Sequence, residues 1–314
     1  MTYDIVTVGS ATVDVFLRSD AFAINDRGQE SLVLSGGKIE VEEKIMTVGG
    51  GGTNTAVGFS RLGLKCACVA RFGEDWAGNW IKENLKKELF DKRFLKQMSK
   101  EETDFSTVLL SSTGERIILT FRGKTRIDKK TFPFKLLSKT NWLYLASLEG
   151  NIELLEDIVS QAQREQVSIV LNPGNLELEE KDRLGEVFSK IRILILNEEE
   201  ARRFWGENYL NEMATAGPKM VVVTCGKAGA YFYENGQTKK ESALEGEVID
   251  ATGAGDAFSV GLVAGLIWGY SPQKAMQAGM TESLSVIGKI GPKTGLLTRK
   301  ELEEKLNNGF PLDQ

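Results

Sequence analysis

The 314-residue chain contains no histidine. Without an imidazole, nucleophilic catalysis by Ser–His or Cys–His pairs, proton shuttling by histidine and His-bound transition metals are all excluded. Any acid–base chemistry must therefore use carboxylates or the side chains of Lys, Tyr or Cys. Cysteine is scarce as well. The three thiols, Cys66, Cys68 and Cys225, provide neither a disulfide framework nor the ligand spacing of a zinc site.

Long apolar segments are also lacking. No run approaches the roughly 20 residues that cross a bilayer, and no secretory-signal pattern opens the chain. The composition is ordinary for a globular protein, with 41% hydrophobic and 26% charged residues. A net charge of −5 disfavours nucleic acid or an anionic membrane as the main partner. We therefore expect a cytoplasmic protein that acts on small molecules, with no nucleic-acid or membrane partner.

Two common nucleotide-binding fingerprints are absent. The chain contains no GxxxxGK[ST] motif, and no GxGxxG motif follows a strand. The sequence therefore does not favour a P-loop nucleotide site or a Rossmann dinucleotide site. Continuous apolar strands, such as residues 193–196 and 221–223, instead alternate with helical segments. This pattern predicts an α/β fold with a mainly parallel central sheet that helices cover on both faces.

The first part of the chain has a different pattern. Short extended pieces recur before residue 47, near 31–34 and 38–47, and two strands joined through residues 112–115 predict a hairpin. These pieces fit the parallel sheet poorly. We therefore expect one domain spanning residues 1–314, with a small projecting β-sheet that acts as a lid and is formed by about residues 12–47 and 102–127.

The most informative segment is DATGAGDAF, residues 250–258. Its small residues, Gly253, Ala254 and Gly255, allow backbone N–H groups to approach a ligand closely, and they open directly into an apolar helix. The N-terminus of a helix attracts anions. A carboxylate beside such a site, Asp256, is suited to accept the proton of a hydroxyl that attacks a phosphate. The alternative is that Asp256 merely stabilises the start of its own helix.

Polar residues follow two other predicted strands, at the sheet edge where α/β proteins bind ligands. Thr224, Gly226 and Gly229 could hold nucleotide phosphate and ribose, although a simple β-turn explains them equally well. Asn197 and Glu200 stand where the next such strand enters a helix. Glu200 could hold Mg²⁺ through water, or the acids here could simply favour the helix dipole.

A third group of polar residues lies near the N-terminus. Asp14 follows the first predicted strand, residues 3–8, and Asn54 opens a predicted helix, residues 53–62, behind four consecutive glycines. An acid, an amide and closely approachable backbone can together hydrogen-bond a polyol. The alternative is that Asp14 and Asn54 are turn and cap residues.

Taken together, these motifs resemble the pfkB (ribokinase-like) family of carbohydrate and nucleoside kinases. The resemblance extends over the whole chain in four ordered motifs: residues 50–56 with Gly63 and Gly73, Asn197-x-x-Glu200, Thr224-x-Gly226-x-x-Gly229, and residues 250–256 with Val260-Gly261.

The resemblance implies a ribokinase-like fold and the ATP-dependent transfer of a γ-phosphoryl group to a primary hydroxyl of a sugar or nucleoside. Asp256 would be the base, beside an anion hole formed by the amides of Gly253, Ala254 and Gly255. The remaining implied roles are acceptor binding by Asp14, Gly50, Gly51, Asn54 and Glu149, nucleotide binding by Asn197, Thr224, Gly226 and Gly229, water-mediated Mg²⁺ binding by Glu200, and a monovalent cation site, for K⁺, at Asp250 and Thr252.

Departures from the family pattern leave the acceptor open. Ala251 replaces the hydroxyl residue usual at its position, and Gly51 stands where ribokinases commonly have Lys, so ribose is not implied. A phosphosugar kinase is the alternative enzyme, and a non-catalytic sugar or nucleotide sensor is the alternative from another class. The sequence does not identify the nucleotide donor or the oligomeric state, although the lid sheet could mediate a homodimer. Basic residues near the hairpin could hold a substrate phosphate or simply be solvated: Arg116, Arg122, Lys124 and Arg126.

Overall fold

The computed structural model describes residues 2–20, 22, 38–111 and 116–308. Within these ranges, none of the helices is long and apolar enough to cross a membrane. The strands are β1 (Tyr3–Val8), β2 (Thr12–Arg18), β3 (Glu43–Gly49), β4 (Cys66–Gly73), β5 (Leu95–Met98), β6 (Asp104–Leu110), β7 (Arg116–Phe121), β8 (Thr140–Leu145), β9 (Ser168–Leu171), β10 (Ile193–Asn197), β11 (Met220–Thr224), β12 (Ala230–Glu234) and β13 (Gln237–Glu241).

α-Helices lie between several of these strands and after the last one. The α-helices are α1 (Gly51–Arg61), α2 (Trp76–Leu85), α3 (Ile152–Arg164), α4 (Asn175–Glu179), α5 (Lys181–Phe188), α6 (Glu198–Trp205), α7 (Tyr209–Glu212), α8 (Ala254–Ile267), α9 (Pro272–Ile287) and α10 (Arg299–Asn308).

The larger sheet has nine strands in the order β13-β12-β11-β10-β9-β8-β1-β4-β5. Neighbouring strands from β11 to β5 are parallel, whereas β12 and β13 form an antiparallel hairpin at one edge. The inner strands are buried on both faces, which is why they are continuous apolar runs rather than alternating ones. The predicted α/β fold with a mainly parallel sheet is confirmed.

Helices cover both faces of this sheet and enclose two hydrophobic cores. One core contains side chains from α1, α2, α8, α9 and α10, for example Phe59, Ile81 and Leu262. The other contains side chains from α3, α5 and α6, for example Leu155 and Leu184. The central sheet therefore separates two packed layers, and polar groups at its strand ends remain available at the rim.

Two helices of the first layer pack against each other at a glycine. Gly58 of α1 lies against Val260 of α8, and a Cβ at position 58 would lie 2.8 Å from both Val260 Cγ atoms. Only glycine fits this contact without a shift of the Val260 side chain or of one helix. The close packing fixes how the N-terminal ends of α1 and α8 lie relative to each other.

The predicted separate small sheet is confirmed, with four strands in the order β3-β2-β6-β7. Strand β2 pairs antiparallel with β3 and parallel with β6, while β6 and β7 form the predicted hairpin. Asp14 lies within β2, opposite Thr47 and Ser106, so the turn alternative for Asp14 was wrong. The predicted extended piece at 31–34 and the hairpin turn at 112–115 lie outside the described residues.

Candidate active site

The starts of two helices meet at the edge of the large sheet. Gly253 adopts a left-handed conformation (φ 80°) just before α8, and a Cβ there would lie 2.5 Å from the Cβ of Pro292. Asp256 follows in the first turn of α8. Asn54, from the first turn of α1, donates a hydrogen bond from Nδ2 to Asp256 Oδ2 at 2.7 Å. The two glycine-rich segments of the sequence are thus joined by one direct contact.

Burial governs the electrostatics of the Asp256 carboxylate. Loss of solvent raises the pKa of Asp256, while the hydrogen bond from Asn54 and the nearby Lys293 ammonium act in the opposite direction. A raised pKa suits a group that must accept a proton near neutral pH. Burial therefore disfavours the charged form of Asp256, whereas Asn54 and Lys293 favour it.

A cavity of about 250 Å³ opens beside Asp256. It lies beyond the carboxyl ends of β9, β10 and β11, where α/β sheets bind ligands. Residues from three predicted motifs therefore share one cavity. Its lining is Asn172, Ile195, Leu196, Asn197, Glu200, Thr224, Ala251, Gly253, Ala254, Gly255 and Asp256.

The other two residues of the predicted nucleotide loop do not line this cavity. Gly226 begins a single 3₁₀ turn after β11, and Gly229 ends that turn with φ 93°. A Cβ on Gly229 would lie 2.0 Å from the carbonyl oxygen of Glu241, so glycine is needed here for packing. The structure therefore separates Thr224, which faces the cavity, from two glycines that shape the adjacent turn.

Asn197 and Glu200 form a reciprocal helix cap. Asn197 Oδ1 accepts the backbone N–H of Glu200 at 2.8 Å, and Glu200 Oε2 accepts the backbone N–H of Asn197 at 2.9 Å. Burial raises the pKa of Glu200. Among the described residues, no three His, Cys, Asp or Glu side chains cluster as a metal site. The Glu200 carboxylate, which lines the cavity, is suited to Mg²⁺, because this ion keeps much of its water shell and also takes oxygens from phosphate.

Asp250 ties the turn before α8 to the loop after α9. Its Oδ1 accepts hydrogen bonds from the backbone N–H and the Oγ1 of Thr252, at 2.9 and 2.7 Å. Its Oδ2 accepts the backbone N–H of Gly291 at 3.0 Å. Both carboxylate oxygens are therefore engaged, and any cation held here would rely mainly on neighbouring backbone carbonyls.

Asp14 lies on the small sheet and is almost entirely buried. Its Oδ1 accepts a hydrogen bond from Thr12 Oγ1 at 3.0 Å, and burial raises its pKa against the opposing charge of Lys293. Gly50 precedes α1 with φ 92°, and a Cβ on Gly51 would lie 3.6 Å from Asp256 Oδ1. Of the predicted acceptor residues, Gly51 and Asn54 thus border the Asp256 carboxylate.

Glu149 lies at a second cavity, whose charged lining residues also include Arg71, Asp104 and Arg126. Arg122 pairs with Glu149 at 3.0 Å and with Asp104 at 3.8 Å, and Arg126 lies 3.6 Å from Glu149. Burial, followed by the neighbouring Asp104, raises the pKa of Glu149. The loop between β1 and β2 also lines this cavity, through Gly9, Ser10 and Ala11.

Sequence reasoning missed several polar residues of the two cavities. Asn172 and Asp104 each stand at a strand end or start, a signal that could have identified them. Lys293 gave no such signal, because it lies in an irregular loop after α9. Its ammonium nevertheless donates to Asn54 Oδ1 and to the carbonyl oxygen of Val48.

Comparison with known proteins identifies the family. The sequence pattern described as "pfkB family carbohydrate kinase" matches residues 3–299. The chain belongs to the pfkB family. Among curated pfkB relatives, it is 24% identical to an ATP-dependent 6-phosphofructokinase of Thermoanaerobacterium thermosaccharolyticum, covering 92% of this chain and 89% of the relative. It is also 24% identical to the ribokinase of Bacillus subtilis, covering 97% and 99%.

A solved structure supports the same fold. The ribokinase of Arabidopsis thaliana, complexed with ribose and ATP, superimposes with a TM-score of 0.79 at 21% identity, covering 98% of this chain and 99% of that chain. The pfkB assignment predicted from four ordered motifs is therefore confirmed.

Proposed function

We propose that this pfkB protein transfers the γ-phosphoryl group of ATP to a primary hydroxyl of a neutral sugar or nucleoside. The hydrogen bond between Asn54 and Asp256 carries the proposal. It joins the residues expected to bind the acceptor to the carboxylate expected to accept the hydroxyl proton. Asp256 also borders the cavity that contains the expected nucleotide and phosphate contacts.

Asp256 acts as the general base. Its buried carboxylate accepts the proton of the acceptor hydroxyl as that oxygen attacks phosphorus. Asn54 orients the carboxylate through its Nδ2 donor, at 2.7 Å. Because Asp256 lies in the first turn of α8, the attacking oxygen is placed directly beside the helix N-terminus that faces the phosphoryl group.

The transferring group is stabilised by the turn that precedes Asp256. The backbone N–H groups of Gly253, Ala254 and Gly255 form an anion hole at the positive end of α8. A Cβ at Gly255 would meet nothing within 4 Å, so this side of the turn is open to a phosphate. The N–H of Ala254 points back to the carbonyl of Ala251, at 3.3 Å, and must turn toward the phosphoryl group as it binds.

The nucleotide occupies the neighbouring strand ends. Asn197 and Thr224 line the cavity and contact the phosphates. Gly226 and Gly229 belong to the short turn after β11, and the absence of side chains there leaves room for the adenine and ribose. Glu200 would hold Mg²⁺ through bound water. When present, this ion neutralises charge on the transferring phosphates.

The acceptor lies between the small sheet and α1. Asp14 and Glu149 accept hydrogen bonds from its hydroxyls, together with Asn54 and the backbone at Gly50 and Gly51. Carboxylates are suited to neutral polyols and repel a second phosphate. Arg122 and Arg126 already pair with Glu149, so a second phosphate would have to compete with this carboxylate for the two guanidinium groups.

Three further features complete the proposal. The chain works as one catalytic domain, in which segments 12–47 and 102–127 close as a lid and exclude water from the transfer. A monovalent cation such as K⁺ binds beside the anion hole, next to Asp250 and Thr252. The exposed edges of the small sheet provide the surface for a homodimer.

An acceptor screen tests the proposed function. The purified protein, with MgATP, is offered neutral sugars, nucleosides and phosphosugars, and ADP release is measured for each. We expect stimulation by a neutral sugar or nucleoside and its loss in Asp256→Asn. Stimulation by phosphosugars alone would favour the phosphosugar kinase. ATP binding without ADP release for any acceptor would favour a sensor.

A further inference from the structure

Lys293 reaches the candidate active site from a part of the chain that none of the four motifs includes. It lies between α9 and α10, and its Nζ donates to Asn54 Oδ1 and to the carbonyl oxygen of Val48. Val48 of β3 pairs with Val13, the residue before Asp14 in β2, and Asn54 contacts Asp256. The ammonium group therefore lies between the two carboxylates that would handle the acceptor.

The backbone that carries Lys293 is fixed on both sides. Gly291, two residues earlier, donates its N–H to Asp250 Oδ2 at 3.0 Å. Arg61 of α1 donates from Nη1 to the carbonyl oxygen of Lys293 at 2.8 Å, and Glu88 holds this guanidinium at 2.7 Å. A side chain delivered from such an anchored loop has a defined position, unlike a surface lysine that samples many rotamers.

The Asn54 amide has a charged partner at each end. Its Oδ1 accepts from the Lys293 ammonium, and its Nδ2 donates to the Asp256 carboxylate. Rotating the amide by 180° would place NH₂ against the ammonium and oxygen against the carboxylate, two unfavourable contacts. The two charges therefore select the amide orientation in which Asn54 donates to Asp256.

We propose that Lys293 is a positioning residue for phosphoryl transfer, and that its ammonium fixes the Asn54 amide and holds the Asp256 carboxylate in its charged form. This inference rests on the proposed function. It adds a residue that acts on Asp256 through Asn54, and it gives a role to an ammonium group that lies among the expected acceptor contacts.

The charged groups around this pair define the expected pH dependence. Asp14, Asp256, Cys68 and Glu88 face Lys293 and favour its ammonium form, yet burial outweighs them and lowers the pKa of Lys293 to about 8.

The second member of the pair is Asp256, whose neighbours are Asn54, Lys293 and the buried Tyr144. Burial raises the pKa of Asp256 and the Lys293 charge lowers it, so removing that charge must raise it further. The acidic limb of the rate should then move to higher pH.

The test compares Lys293→Met, which keeps the length of the chain without charge, with Lys293→Arg, which keeps the charge. Lys289→Met is the matched control, because Lys289 is exposed on the same loop. The acceptor that gives the highest rate in the screen is used. Values of kcat/KM are measured from pH 5 to 10 with saturating MgATP, and thermal melting is recorded for each variant.

We expect Lys293→Met to lower kcat/KM for the acceptor by about tenfold or more at pH 7. Its acidic limb should shift upward by about one pH unit or more, the effect of losing an adjacent opposite charge. Lys293→Arg should retain most of the parent activity and lose the decline above pH 8, because a guanidinium stays charged. Lys289→Met should match the parent.

Two results would overturn the inference. One is a Lys293→Met profile whose acidic limb coincides with that of the parent. The other is a Lys293→Arg variant as impaired as Lys293→Met, which would indicate that side-chain shape rather than charge matters. If Lys293→Met fails to fold, the alkaline limb of Lys293→Arg decides alone. A parent inactive with every acceptor would instead refute the proposed function, and with it this inference.

Discussion

The Glu177 carboxylate accepts the backbone N–H groups on both sides of Glu149. Leu148 donates to Glu177 Oε1 at 2.7 Å and Gly150 donates to the same atom at 3.0 Å. Between them, Glu149 adopts a left-handed backbone conformation with φ 58°. For a residue with a side chain, that conformation costs about 1–2 kcal/mol. The buried Glu177 therefore stabilises the strained turn that presents Glu149 to its cavity.

Replacing Glu177 should weaken acceptor binding more than ATP binding. In Glu177→Gln, the lost charge weakens each hydrogen bond to the turn, and Glu149 can relax from its left-handed conformation. Hydrogen bonds to a charged group contribute about 1.5–3 kcal/mol, so we expect the acceptor KM to rise roughly tenfold or more. Separate titrations of acceptor and ATP measure this. Glu180→Gln, at an exposed position nearby, is the control. Equal rises in both KM values would contradict the assignment.

Asp256→Asn should abolish most turnover while leaving nucleotide binding close to that of the parent. Loss of a general base lowers kcat by roughly 10²–10⁴-fold. Steady-state rates and ATP titration by calorimetry separate the two effects. Asp182→Asn provides the control, because Asp182 also lies in the first turn of a helix but is exposed. A kcat within about threefold of the parent would refute the role of Asp256.

Arg122→Ala separates a neutral acceptor from a phosphosugar. Arg122 is 56% exposed and already paired with Glu149, so its removal should change the acceptor KM within about threefold and leave the acceptor ranking intact. Lys124→Ala, exposed in the same segment, is the comparison. If the acceptor carries a phosphate, losing an Arg–phosphate contact should cost roughly 10- to 100-fold in kcat/KM. Such a loss, confined to phosphorylated acceptors, would reverse our choice.

K⁺ should raise the rate at constant Mg²⁺ and ionic strength. Asp250, Thr252 and Gly291 join the turn before α8 to the loop that follows α9. A cation near this junction would fix the amides that bind the phosphoryl group. Initial rates in potassium chloride are compared with rates in tetramethylammonium chloride. Identical rates would remove the cation site and leave the kinase proposal unaffected.

Glu282 should make the folded protein less stable as pH rises. Its side chain is fully buried in α9 and accepts a hydrogen bond from the backbone N–H of Leu297; burial raises its pKa from 4.5 to about 8, with Arg61 and Glu301 as the charged neighbours. The folded state thus binds this proton more tightly than the unfolded state. The resulting loss of stability is absent below about pH 4.5, grows between pH 4.5 and pH 8, and is complete above about pH 8.

Glu282→Gln removes this titration. We expect its free energy of unfolding, relative to the parent, to increase from pH 4 to pH 9 by on the order of 5 kcal/mol. Urea denaturation across this range gives the difference, with the exposed Glu245→Gln as control. A difference that is constant with pH would show that Glu282 remains charged in the folded protein.

Continuous apolar segments made much of the fold predictable. The strand Tyr3–Val8 begins and ends where the sequence indicates, and the apolar runs 193–196 and 221–223 lie within β10 and β11. Two strands were missed for physical reasons. Leu95–Met98 is half-buried at the sheet edge, and Gln237–Glu241 has no apolar side chain.

The start of α1 was placed too late. Its first residues, Gly51 and Gly52, have low helix propensity and were taken as part of a loop. They are helical because the helix start packs on the β1–β2 loop, where a Cβ on Gly52 would lie 2.8 Å from Gly9. Gly9 and Gly52 are far apart in the sequence, so the local sequence around Gly52 does not indicate this contact.

The candidate site was predictable where its residues belong to motifs at strand ends and helix starts. Asn54 and Asp256 were assigned to separate motifs, and the structure joins them directly. Lys293 could not be found in this way, because 239 residues separate it from Asn54 and its loop has no periodic pattern. Its position depends on the anchors at Asp250 and Arg61, which only the folded chain brings together.

The contact between Gly58 and Val260 helps to set the distance between Asn54 and Asp256, although neither contact residue belongs to the candidate site. Asn54 precedes Gly58 by about one helical turn, and Asp256 precedes Val260 by the same number of residues. A methyl group added at Gly58 would clash with the Val260 side chain, and a shift of either helix that relieves this clash would displace the Asn54–Asp256 pair. The geometry of proton transfer is thus set partly by an apolar contact that no substrate touches.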